Sequence, residues 1–186
     1  MDFLKRPLVA FLSLAVLGGC GSTPTEVTPR TGFNLIGATV VSPNEPGWRT
    51  VVSNPGSVAL GKAGNLQGES KIFKVSIVQI DSSLSDDSFL AEAKKAKSPA
   101  KTQKVNYKGT RCLKFEGSLQ NTKAKIAGSG PVYETNIGYT CRHPLRKDVA
   151  IDMGYSSRAT TTGLTAAERS QTKQFFDNIQ FNENGF

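Results

Sequence analysis

Along 148–158 the residues Val149, Ile151, Met153 and Tyr155 alternate with Ala150, Asp152, Gly154 and Ser156. A side-chain period of two belongs to a β-strand with one buried face; a helix would scatter the same residues around its axis. The segments 109–119 and 133–142 also read as strands. Turn-like stretches around 121–131 and 143–147 divide them, so the region predicts an antiparallel meander. Upstream, 71–80 carries Ile72, Phe73, Val75, Ile77, Val78 and Ile80 on both faces, the pattern of an interior strand in a sheet covered on both sides.

Two segments carry helical signals instead. Ser85 or Asp86 can cap a helix running to about Lys97, with acidic residues in its first turn and lysines in its last complementing the helix dipole. Phe89, Leu90 and Ala93 would form its buried stripe, and Pro99 ends it. Thr165 can cap a closing helix to about Ile179, docked through Ala167, Phe175, Phe176 and Ile179. The early segments are shorter: 35–41 and 49–53 suit strands, and Pro43 and Pro46 interrupt the chain between them. Gly56, Gly61, Gly64 and Gly68 suggest turns between short strands. The expected class is therefore α+β, a mostly antiparallel sheet with helices packed on it, in a single domain over 32–186.

The N-terminus constrains where this domain resides. Lys5 and Arg6 precede an uncharged apolar run over 7–17, and Gly18 and Gly19 follow it. This is the layout of a signal peptide, with a core too short to cross a bilayer as a permanent helix of roughly 20 residues. Leu17-Gly18-Gly19-Cys20 resembles the lipobox of bacterial lipoproteins. The resemblance implies removal of 1–19, diacylglyceryl attachment to Cys20, and an anchor made of two or three acyl chains. Gly21 stands where an inner-membrane retention signal commonly places Asp. The resemblance thus implies a cell-envelope protein on the outer membrane, facing the periplasm. Residues 20–31 follow as the lipidated cysteine and a flexible tether containing Pro24 and Pro29. With Cys20 acylated, Cys112 and Cys141 remain in an oxidising compartment and are expected to form a structural disulfide.

The formal charge of +8 becomes +7 once Lys5, Arg6 and Asp2 leave with residues 1–19, which favours acidic partners. Its densest contribution is the series Lys94, Lys95, Lys97, Lys101, Lys104, Lys108 and Arg111, between the first helix and the next strand. These residues are the candidate contact for anionic lipid, cell-wall polymer or an acidic protein face; the structural reading is a solvated helix end and loop. No nucleic-acid partner is expected. His143 is the only histidine and lacks partners at metal-ligand spacing, so neither a metal nor a cofactor is expected. The glycines lack the Gly-Lys-Ser/Thr ending of a phosphate loop, and the serines lack a nucleophile-elbow setting, so no catalytic residue is assigned. Trp48 is expected in the core, and Arg158 either binds an anion or pairs with a carboxylate.

A Ser42-Pro43 to Gly47-Trp48 segment is followed by a central strand and helix, by three strands ending in Tyr155-Ser156-Ser157-Arg158, and by a final helix containing Phe175-Phe176-Asp177-Asn178-Ile179. This order resembles the PsbP-like α/β/α sandwich over about 32–181. That resemblance implies binding to a larger partner rather than catalysis, and it carries no catalytic residues. The expected function is a membrane-anchored periplasmic lipoprotein acting as a non-catalytic interaction or assembly module for an envelope protein complex. The alternative is a carrier or sensor of a small apolar or anionic ligand held between sheet and helix.

Overall fold

The computed structural model describes residues 24–123, 126 and 130–186; the expected signal peptide and the expected lipidation site, Cys20, lie outside the described residues. The described strands form two antiparallel sheets. A seven-stranded sheet has the order β3 (Arg49–Asn54), β4 (Ser57–Ala63), β5 (Ser70–Gln79), β9 (Val149–Ala159), β8 (Val132–Arg142), β7 (Thr110–Asn121) and β6 (Lys101–Tyr107). A small sheet joins β1 (Gly32–Leu35), β2 (Ala38–Val41) and β10 (Gln180–Phe181).

The alternating segment 148–158 forms β9, the central strand of the large sheet. Ile151, Met153 and Tyr155 lie opposite Ile77, Val75 and Phe73 of β5, all on one face. Helix α2 (Ala166–Asp177) and the small sheet cover that face, contributing Phe175, Phe176, Leu35, Ala38 and Val40; Trp48 and Ile179 also join the core there. The other face receives α1 (Asp86–Ala96), whose Phe89, Leu90 and Ala93 pack with Leu113 and Ala150. Both helices start where the sequence places them. Ser85 Oγ accepts from Ser88 N, and Thr165 forms a reciprocal capping box with Glu168, satisfying first-turn donors that have no partner within the helix.

Four local features differ from the sequence reading. The expected strand over 35–41 is a hairpin, turned at Ile36-Gly37, where Gly37 adopts φ +77°, a backbone region that glycine enters without Cβ strain. Gly61 lies inside β4, opposite Arg49 of β3, and is not a turn residue. Ala167 is exposed, whereas Thr172 takes a buried place on α2. The expected flexible tether joins the fold before residue 31. The Val27 amide donates to Trp48 O at 2.8 Å, Thr50 N donates to Thr25 O at 2.9 Å, and the Val27 side chain is buried in the core.

A fifth difference bears on function. The lysine-rich stretch after α1, read as helix end and loop, contains the edge strand β6, in register with β7 from Lys101↔Glu116 to Tyr107↔Thr110. Its periodicity is weak because only one side of this strand packs. Val105 and Tyr107 lean on the core, while the lysines stay in water.

Cys112 and Cys141 form a disulfide between directly opposed residues of β7 and β8, with Cα atoms 4.2 Å apart. Opposed residues approach this closely where they exchange no backbone hydrogen bonds. The bond lies within the main core and closes 29 residues of chain. On the opposite face, an added Cβ at Gly138 would lie 2.1 Å from Met153 O and 2.6 Å from Phe115 Cζ, so the Phe115 ring occupies the space a side chain would take.

Replacing both cysteines, as Cys112→Ala/Cys141→Ala, is expected to lower unfolding free energy by about 3.6 kcal/mol on the loop-entropy estimate. Urea denaturation followed by far-ultraviolet circular dichroism measures this. A loss well under 1 kcal/mol would mean that the reduced hairpin is already ordered in the unfolded chain.

Candidate functional site

Two surface regions concentrate polar chemistry: a cleft at the start of α2, and the strip of basic residues around β6. The cleft encloses about 710 Å³, between the Pro43–Glu45 loop on one side and Glu168, Gln171 and Phe175 of α2 on the other. Lys62 of β4, Lys71 of β5 and Ser157 of β9 also line it.

Its centre is Glu168, placed by the capping box. One carboxylate oxygen accepts from the Thr165 amide and hydroxyl, both at 2.9 Å. The other accepts from Tyr155 Oη at 3.1 Å and Ser157 Oγ at 3.2 Å, with Lys71 Nζ 3.2 Å away. Burial alone would raise the Glu168 pKa, but the amide and hydroxyl of Thr165 and the Lys71 ammonium outweigh it and bring the group from 4.5 to about 2. Burial, followed by the adjacent Glu168 charge, pushes the Tyr155 hydroxyl well above its usual range.

Glu45 repeats the arrangement at the other wall. Its carboxylate accepts from Trp48 Nε1 at 2.9 Å and pairs with Lys62 at 3.0 Å. Burial opposes the shift, yet hydrogen bonds from Lys62, Gln171 and Trp48 hold the acid below its ordinary pKa. Both carboxylates are thus fixed anions with lysine partners. The cleft therefore presents charges that are already paired and hydrogen-bonded. Arg158, at the rim, pairs with Glu134 at 2.7 Å, the carboxylate option of the sequence reading.

The basic series divides into three groups. Lys97 is internal: its ammonium reaches Asp152 at 2.7 Å, lies 4.4 Å from the Phe115 ring centre, and its side chain is 7% exposed. Thr140 donates to the same Asp152 oxygen at 2.6 Å. Lys97 is therefore removed from the anticipated contact surface, because Asp152 on the α1-side face of β9 needs a counter-charge under the helix. Lys104 and Arg111 both pair with Asp87 of α1 at 2.8 Å, and Lys108 donates to the Asp177 carbonyl at 2.6 Å. Lys94, Lys95 and Lys101 are exposed and form no ion pair among the described residues.

His143 is buried. Its Nδ1 accepts from the Leu145 amide at 3.2 Å, so Nε2 carries the hydrogen that the Gly37 carbonyl accepts at 2.8 Å. Among the described residues, no three His, Cys, Asp or Glu side chains converge as a metal ion would require. The Glu168 cluster was not read from the sequence. Its one available signal was the spacing Thr165-x-x-Glu168, which marks a capping box but says nothing about Tyr155 or Lys71, brought in from β9 and β5.

No family model matches the chain, and no curated protein matches it in sequence.

Because the folded-state pKa of Glu168 lies below its unfolded value, the unfolded chain binds the proton more tightly. The stability from this carboxylate is present above about pH 4.5 and is lost as pH falls towards about 2. Thermal melts across that interval are expected to fall for the native chain and to fall less for Glu168→Gln. Parallel curves would remove Glu168 as the source.

Proposed function

We propose that the chain is a lipid-anchored periplasmic lipoprotein whose domain serves as a non-catalytic interaction module for an envelope protein assembly. Acylation at Cys20 supplies the membrane attachment, in keeping with the lipobox and with an outer-membrane location. A helix on one face of the sheet, and a helix with a small sheet on the other, support the PsbP-like α/β/α reading of the fold.

One observation carries the interaction reading: β6 ends the seven-stranded sheet, pairing only with β7 among the described strands, and Lys101 and Lys104 stand exposed on it, with Lys108 exposed in the turn that follows. An open edge can take a further strand from another chain, with backbone hydrogen bonds supplying affinity and side chains supplying selectivity. The lysines discourage pairing with another copy of this basic chain, and they favour an acidic extended segment. The second reading, a carrier or sensor of a small ligand, draws support from the cleft, whose volume falls within the range of small-molecule sites. Its charges are already paired, so a ligand there would have to displace Lys62 or Lys71 from its carboxylate.

Crosslinking of the tagged chain in intact cells, with mass spectrometry of the captured species, tests the proposal. An envelope protein with an acidic extended segment is expected near stoichiometry, reduced in Cys20→Ala and lost in Lys101→Glu/Lys104→Glu. Recovery unchanged in the charge-reversed variant would remove β6 as the contact. Absence of any captured protein, together with a small molecule retained in native mass spectrometry, would favour the carrier.

A further inference from the structure

The outer edge of β3 lies at the opposite end of the large sheet from β6, and it differs in chemistry. Val51 and Val52 are 41% and 38% exposed, side by side at a bulge where the β3–β4 register shifts between Thr50 and Val52. A bulge of this kind turns two successive side chains towards the same face. The cross-strand rows on that face run Val52–Ala59–Lys74 and Arg49–Gly61–Ile72, so the two valines are flanked by the exposed Arg49 and Lys74. Helix α1 covers the face near β7 and Ala150 of β9, and leaves the β3–β4 end open.

The chain enters the domain at this same edge. Glu26 bridges to Arg49 in the antiparallel sense, and the Thr25 carbonyl accepts from Thr50 N. From Thr25 back to Cys20 there are five residue steps, which span at most about 17 Å when fully extended. A domain of this size is about 40 Å across. An anchor on so short a leash cannot bring the far side of the domain to the bilayer, whereas the β3 edge lies at the point of attachment.

We infer that the β3 edge, with Val51 and Val52 flanked by Arg49 and Lys74, is the surface that rests on the lipid bilayer. The valines meet the boundary between headgroups and acyl chains, and the two cations meet lipid phosphates. β6, six strand spacings or about 29 Å away across the sheet, then faces into the periplasm. This inference rests on acylation at Cys20, and it orients the proposed interaction edge away from the membrane.

The test uses the full-length acylated chain in vesicles of phosphatidylethanolamine and phosphatidylglycerol. Intact-mass analysis first establishes whether Cys20 carries acyl chains; an unmodified Cys20 overturns the anchor and the orientation together. With acylation present, amide hydrogen exchange in peptides covering 49–54 is expected to be several-fold slower than in soluble Cys20→Ala protein, with no change over 101–107. Unchanged exchange at β3, or equal slowing at β6, would overturn the orientation while leaving the anchor intact. Val51→Asp/Val52→Asp, at sites already exposed, is expected to abolish the slowing with native circular dichroism retained. Slowing that persists in this variant would overturn the role of the valines.

Discussion

Phe73 holds the molecule together. Its ring stacks on Phe175 with centroids 4.0 Å apart, and it touches Tyr155 at 4.7 Å and Trp48 at 5.0 Å. Those contacts join β5, the centre of the sheet at β9, helix α2 and the loop before β3 in one buried cluster. Aromatic pairs in tilted or offset contact contribute about 0.5–1.5 kcal/mol beyond the area they bury. Helix α2, with few other apolar residues, depends on this cluster for its docking. Its placement in turn sets the cleft, because the helix that buries Phe175 also brings Glu168 over Tyr155 and Lys71.

The polar architecture follows the same economy. Glu168 caps its helix, receives a buried tyrosine hydroxyl and pairs with a lysine, so one carboxylate satisfies donors from α2, β5 and β9. Asp152 does the same on the other face for Lys97 and Thr140. Buried charges persist only when paired and hydrogen-bonded, and both pairs meet that condition. They belong to the packing of each helix against the sheet, which distinguishes them from the exposed lysines along β6.

The two ends of the large sheet differ in chemistry. One edge receives the incoming chain and exposes valines beside two cations; the other carries lysines and an open backbone. If Cys20 is acylated as proposed, the short leash gives this asymmetry a consequence, because attachment at one edge would leave the other free to meet a partner. A long flexible tether, as the composition of 20–31 suggests, would impose no such orientation. The difference comes from Val27, whose burial beside Trp48 fixes the chain before the second proline.

Periodicity made β5, β7, β8 and β9 legible, since each buries a strong apolar face. Ser85 or Asp86, and Thr165, marked the helix starts because first-turn amides need an acceptor; the structure assigns the first cap to Ser85. Cys112 and Cys141 were equally local features, readable without a fold. β6 escaped notice because an edge strand packs on one side only and its lysines mask the alternation. Lys97 was indistinguishable from its neighbours, for nothing near it in sequence reveals Asp152, 55 residues away. The sequence by itself determined the long inner strands, the two helices with their caps and the pairing available to Cys112 and Cys141, because these depend on neighbouring residues and on a short inventory of thiols. Only the tertiary structure decided which lysines are buried, which carboxylates hold them and which sheet edges stay open. Those outcomes depend on strand register and helix docking, which bring together residues that the chain keeps far apart.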